Sequence, residues 1–172
     1  IRPGDILHMR NGKTIEVINT DAEGRLIMAD ALAFASESKP DIICDVATLT
    51  GAAYVALGVE IGAVFSNNKV TLDSFLNSNN DGFENYHSLP LEQSYKSQIK
   101  SNIADMKNSG GRFGGAITAA LLLDEFVDDI NWIHLDIAGP ARSRSSNSIY
   151  PEGGTGFGVL GYFNFLANEA NG

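Results

Sequence analysis

A chain of 172 residues, 44% of them hydrophobic and only 19% charged, has the size of one domain or of a large piece of one, with material for a sizeable core. That composition excludes intrinsic disorder, which combines low hydrophobicity with high charge, and no apolar run approaches the roughly 20 residues of a membrane span. With 12 basic against 21 acidic residues and a net charge of −9, general phosphate-backbone binding is disfavoured, because that affinity comes from Lys and Arg.

The elements follow in chain order. Two short strand-like runs, DILHM (5–9) and TIEVI (14–18), flank Asn11-Gly12, the strongest local hairpin signal. The polar turn NTDAEG (19–24) leads into a helix over 25–38, apolar on most sides and stopped by Lys39-Pro40. DIICDVA (41–47) is a short β-branched run, expected as a buried strand, and TLTG (48–51) turns into a small-residue helix over 52–57. Residues 59–65 predict another strand, and 69–80 a helix stopped by Asn80-Asp81-Gly82. Residues 83–114 are mixed, with Pro90 and the glycine-rich loop SGGRFGG (109–115). A helix over 116–127 and a strand over 132–137 follow, then an irregular Gly-, Ser- and Pro-rich stretch over 138–156, and an amphipathic helix over 157–168 closes the chain. Strands alternating with helices predict an α/β fold with a mixed, mostly parallel sheet and helices on both faces, in three layers. Ligands of such sheets collect on loops that follow strands. The loops of interest here do so: NTDAEG after Ile18, TLTG after Ala47 and AGPA (138–141) after Ile137.

Asp21 and Glu23 stand two apart, with Arg25 two further on. That spacing in an extended turn puts both carboxylates on one side, and two hard oxygen donors suit Mg²⁺, Mn²⁺ or Zn²⁺. The competing reading is a helix cap, with Thr20 or Asp21 capping the helix and Glu23 near its positive end. His134 lies in an apolar strand and is expected to be a satisfied core histidine, and Cys44, the single cysteine, a small buried hydrophobe. One cysteine leaves no internal disulfide framework and no Cys-rich zinc site. The GGRFGG loop before a helix has the look of a phosphate loop, yet it lacks the Lys-Ser/Thr of a P-loop and is expected to be a flexible loop that needs glycine at several positions. No Ser sits in a GxSxG elbow, which argues against a serine hydrolase.

The string NTDAEGRLIMADAL (19–32) resembles the signature of the leucyl aminopeptidase, or cytosol aminopeptidase, family. DVATLTGA (45–52), NIADMKNSGGRFGGAITAALLL (102–123), WIHLDIAGPA (132–141) and GGTGFGV (153–159) follow in the family's order. The resemblance covers nearly the whole chain. It implies a phosphorylase/hydrolase-like fold and a cytoplasmic, homo-hexameric, two-metal exopeptidase (manganese or zinc) that removes N-terminal residues, preferably leucine or other apolar ones, from peptides. By the same resemblance Asp21 and Glu23 are metal ligands, with Glu23 bridging both ions, and Arg25 is the catalytic residue that holds a bicarbonate. A planar guanidinium suits a planar carboxylate-like anion. Asn19, Thr48, Leu49, Gly51, Ala138 and Ala141 are implied as substrate-binding positions, the small ones leaving room for an aliphatic side chain.

The resemblance also sets an expectation of what lies elsewhere. Residues 1–172 match the C-terminal portion of the family's catalytic domain. The family's N-terminal domain, and an upstream segment with a metal-binding lysine, two aspartates and a second catalytic lysine, are not in this sequence. With Ile1 as the first residue, the chain is expected to be a processed piece or a fragment whose partner is that upstream segment. The alternatives are a non-catalytic structural or assembly fragment of the same family, and a phosphate-binding α/β protein using GGRFGG.

Overall fold

The structure is a computed structural model that describes residues 1–80, 82–146 and 150–171. Asp81 of the expected helix stop, residues 147–149 of the expected irregular stretch, and Gly172 lie outside the described residues. The chain divides into two compact units: Ile1–Ile43 with Pro90–Trp132, and Cys44–Leu89 with Ile133–Gly172.

In chain order the elements are β1 (Ile6–His8), β2 (Thr14–Glu16), α1 (Gly24–Ser36), β3 (Ile42–Ala47), α2 (Gly51–Leu57), β4 (Ile61–Ser66), α3 (Lys69–Ser78) and β5 (Asn85–Ser88). A 3-10 helix (Gln93–Ile99), β6 (Met106–Lys107), α4 (Gly115–Asp124), β7 (Asn131–Asp136), β8 (Arg142–Ser143), β9 (Gly153–Gly154) and α5 (Val159–Asn171) complete them. The class is α/β, as the alternation of patterns predicts.

In the first unit the Asn11-Gly12 hairpin forms as expected. β1 pairs antiparallel with β2, Leu7 opposite Ile15, and Gly12 takes φ +88° in the turn. β2 pairs parallel with β6 on its other side. Ile15 and Val17 are fully buried with Leu121, Leu122, Leu123 and Phe126, and α1 packs on α4. α1 turns Leu26, Ala29, Leu32 and Ala33 inward, whereas Ile27 and Phe34 of its apolar pattern are exposed. Arg10 covers part of Phe34, its guanidinium carbon 4.8 Å from the ring centre, a cation–π contact.

The expected helix over 116–127 ends early, at Asp124. Beyond it the backbone tightens into i→i+3 bonds, Glu125 N to Leu122 O at 3.2 Å and Phe126 N to Leu123 O at 2.9 Å. Phe126 and Val127 remain fully buried, so the apolar pattern continues past the end of the helix. Lys13 and Lys96 both donate to the Glu125 carboxylate, each at 2.5 Å. Burial pushes that carboxyl up, but the two lysine hydrogen bonds outweigh it and hold it below its usual range.

In the second unit the four-stranded sheet runs β3-β7-β4-β5 and is mixed. β4 is parallel to β5, Gly62 opposite Tyr86, and antiparallel to β7, Val64 opposite Leu135. β5 falls in the segment that the sequence left mixed. α2 and α3 pack on β4, and α3 packs on α5. Phe75 meets Tyr86, Tyr162 and Phe165 edge to face, at 5.0, 5.8 and 5.6 Å between ring centres, the geometry aromatic quadrupoles favour. α5 begins at Val159, two residues later than expected, because Gly158 has φ +95°. Buried Glu84 serves that helix start: its carboxylate accepts from Gly158 N at 2.8 Å, Gly161 N at 2.7 Å and Tyr86 Oη at 2.6 Å.

His134 is a satisfied core histidine, as expected. It is 1% exposed and lies against Phe65. Its Nδ1 is 2.5 Å from Asp45 Oδ1, and since a carboxylate only accepts, Nδ1 carries the hydrogen. Tyr162 donates to the carbonyls of Asp45 and Ile133. Cys44 is half-buried rather than fully inside. Burial pushes its thiol up to about 12, with the Asp45 and Glu169 carboxylates adding to the effect.

Candidate functional site

The turn between β2 and α1 is built by hydrogen bonds that the sequence did not announce. Asn19 Oδ1 accepts from Asp21 N at 3.0 Å, closing an Asx turn, and Ala22 N donates back to Asn19 O at 3.3 Å. The turn buries Ala22 and leaves Asp21 and Glu23 exposed on either side of it. Among the described residues neither carboxylate takes a hydrogen bond or an ion pair. The cap reading fails here: the N-cap of α1 is Glu23, already helical at φ −73° and ψ −32°, with no side-chain cap bond. Two exposed hard carboxylates, two residues apart and committed to nothing in the fold, fit divalent-cation chemistry in type. They fall short in number, because among the described residues no group of three or more His, Cys, Asp or Glu could hold a metal.

Arg25 is the opposite case. It is 8% exposed, and its Nη1 donates to Asn108 O at 2.9 Å. A buried guanidinium keeps its charge, so it is a fixed cation at the first turn of a helix without a side-chain cap, a setting that favours an anion.

Sequence reasoning missed Asn108, whose side chain holds this turn. It is fully buried. Its Oδ1 accepts from Ile18 N at 2.9 Å and Asn19 N at 3.2 Å, and its Nδ2 donates to Asn19 O at 2.6 Å and Ala22 O at 3.5 Å. The residue stands in the quoted NIADMKNSGG block, but nothing in that string says which turn it serves.

The substrate-binding candidates of the two later loops belong to the second unit. Thr48 and Gly51 are exposed, Leu49 is half-buried, and Thr50 is buried. Thr50 caps α2, its Oγ1 accepting from Ala53 N at 3.0 Å. A second missed residue, Asp136 at the end of β7, ties both loops together and is 1% exposed. Its Oδ1 accepts from Leu49 N at 3.1 Å, Thr50 N at 3.3 Å and Ala138 N at 3.2 Å, and its Oδ2 from Thr50 Oγ1 at 2.6 Å. Ala138 and Ala141 are half-buried. Between them Gly139 lies so close to the Gly58 carbonyl that an added Cβ would stand 2.0 Å from the oxygen. The glycine of AGPA is thus needed for a backbone-to-backbone approach.

The GGRFGG loop also proves to be a packing feature. Gly114 sits in the left-handed region at φ +67°, where an added Cβ would come within 2.6 Å of the Tyr95 ring. A cavity of about 430 Å³ in the first unit is lined by Lys13, Lys96, Asp105 and Glu125 among others and by none of the candidate residues.

The α/β fold places a turn with two exposed carboxylates after a strand, and comparison with known proteins gives the family. Residues 1–161 match the model of the cytosol aminopeptidase family, catalytic domain, and the chain belongs to that family. Among curated relatives, a probable cytosol aminopeptidase of Prochlorococcus marinus subsp. pastoris is 48% identical over 98% of this chain and 35% of its own length. The probable cytosol aminopeptidase of Syntrophotalea carbinolica is 51% identical over 98% of this chain and 34% of its own length. The chain therefore spans about a third of the length of the relatives it matches. Among solved structures, a mutant of tomato leucine aminopeptidase is 44% identical with a TM-score of 0.91, covering 98% of this chain and 32% of that one. The bottromycin maturation enzyme BotP in complex with Mn is 38% identical with a TM-score of 0.93, covering 98% of this chain and 38% of that one.

Proposed function

We propose that this chain is part of a two-metal aminopeptidase that removes N-terminal residues, leucine and other apolar ones by preference, from peptides. The observation that carries the reading is the pair of exposed carboxylates, Asp21 and Glu23, on a turn held rigid from below, in a chain of this family. A manganese complex of a structural neighbour supports divalent metal as the cofactor.

In this reading Asp21 and Glu23 would hold the metals, Glu23 being the carboxylate shared between them. When bound, such ions supply Lewis-acid polarisation of the peptide carbonyl and activation of the attacking nucleophile. The chain's own residues do the rest. Arg25 would hold a bicarbonate, the planar guanidinium matching a planar anion, and that group would supply proton transfer beside the metals. Leu49 offers main-chain groups to the peptide. Asn19, Thr48, Gly51, Ala138 and Ala141 border the substrate, the alanines and glycine leaving room for an aliphatic side chain. Two carboxylates do not complete a two-metal site, so the remaining ligands come from an upstream segment of the same enzyme. A cytoplasmic homo-hexamer is the proposed assembly, on family grounds; no helix among the described residues is long and apolar enough to cross a membrane.

The test is hydrolysis of leucine amides by the natural polypeptide that carries this sequence. Activity removed by a chelator and restored by Mn²⁺ or Zn²⁺ is expected. Glu23→Ala is expected to lower kcat/KM by at least about a hundredfold, the scale of losing a group that acts on the reacting atoms. Chelator-resistant activity, or full activity in Glu23→Ala, would overturn the proposal.

A further inference from the structure

We propose that Asn108 is the positioning residue of the metal turn: one buried amide grips the turn's backbone on both sides, and its own carbonyl holds Arg25. The inference rests on the reading of Asp21 and Glu23 as metal ligands and adds what aims them.

The four side-chain bonds divide evenly. Oδ1 takes two N–H groups, of Ile18 and Asn19, and Nδ2 gives to two carbonyls, of Asn19 and Ala22. Only a group with an acceptor and a two-hydrogen donor on one plane serves that pattern. The amide brackets the turn, gripping it at Ile18 and Asn19 ahead of Asp21 and at Ala22 just before Glu23. Both carboxylates themselves lean on nothing among the described residues, so their relative placement is inherited from the backbone that Asn108 fixes. Asn108 is itself anchored: its N–H donates to Glu16 O at 2.9 Å, continuing the β2·β6 ladder. Its carbonyl accepts from Arg25 Nη1 at 2.9 Å. The proposed anion holder and the proposed metal ligands are thus referred to the same residue. Groups behind a metal's ligands typically change affinity or activity by about 10–100-fold when lost.

Side-chain chemistry makes the claim testable. Asn108→Asp keeps shape and the acceptor half, but turns an oxygen toward the carbonyls of Asn19 and Ala22. Asn108→Ser is neutral, smaller and leaves room for water. A buried polar residue of the second unit, Glu84, is the control for general loss of stability, since it caps α5 and belongs to no part of the proposed site.

The experiment is a Mn²⁺ titration, on the natural polypeptide that carries this sequence, of the unaltered protein, Asn108→Asp, Asn108→Ser, Glu84→Gln and Glu23→Ala, each with its melting temperature in the metal-free state. Both Asn108 variants are expected to lose at least about tenfold in Mn²⁺ affinity. Glu84→Gln is expected to melt lower and to keep its affinity. A folded Asn108→Ser that binds Mn²⁺ as tightly as the unaltered protein, while Glu23→Ala does not, would overturn the inference and leave the proposed function standing. So would a Glu84→Gln loss of affinity equal to that of the Asn108 variants. Unchanged affinity in Glu23→Ala would overturn the proposed function, and this inference with it.

Discussion

Asp21, Glu23 and Arg25 are neighbours in sequence, yet the fold treats them differently. The two acids are exposed and the arginine is buried, so one short turn offers two exposed carboxylates and a fixed cation together. Cys44 shows a residue held out of chemistry by the same means. Its thiol, pushed up to about 12 by burial and by Asp45 and Glu169, stays protonated near neutral pH. Alkylation at pH 8 is therefore expected to run about a thousandfold slower than for an ordinary thiol near 9, a three-unit difference in thiolate supply; labelling at the rate of free cysteine would contradict this. The linkage has a definite sign. The native state holds this proton more tightly than the unfolded one, so the associated stability is complete below about pH 9 and is lost as pH rises toward 12. At this scale the family string singled out the proposed ligands and Arg25. Asn108 and Asp136 were not legible, because each reaches a loop more than 80 residues away through hydrogen bonds with no sequence period.

Elements with a clear period were readable: the Asn-Gly hairpin, α1, β3, α2, α3 and β7 all form where their patterns put them. The differences have local causes. Gly158 delays α5, and tight turns replace the last expected residues of α4 while the apolar pattern runs on. β5 was hidden because Asn85–Ser88 is a short polar string whose pairing with β4 alone makes it a strand. The element that matters most for the TLTG and AGPA loops is β7, because its last residue, Asp136, gathers donors from both. Asp136→Ala leaves the N–H groups of Leu49, Thr50 and Ala138 and the buried Thr50 hydroxyl without this acceptor. The expected cost is about 3 kcal/mol of stability by urea unfolding. A loss below about 0.5 kcal/mol, the scale of an ordinary surface change, would show that the two loops are held by other means.

At the scale of the whole molecule, the chain spans about a third of the relatives' length, and among the described residues no three His, Cys, Asp or Glu side chains gather to hold a metal. The chain also exposes apolar side chains. Val159, Phe163 and Leu166 follow one another along α5 at helical spacing, 73%, 68% and 51% exposed. The central claim, a pair of metals shared through Glu23, is tested most directly by electron paramagnetic resonance of the Mn²⁺-loaded natural polypeptide beside its Glu23→Ala variant. The predicted result is the spectrum of a magnetically coupled pair, about two ions per chain, reduced in the variant to isolated ions or to none. An isolated-ion spectrum at every occupancy, the same in both proteins, would contradict it.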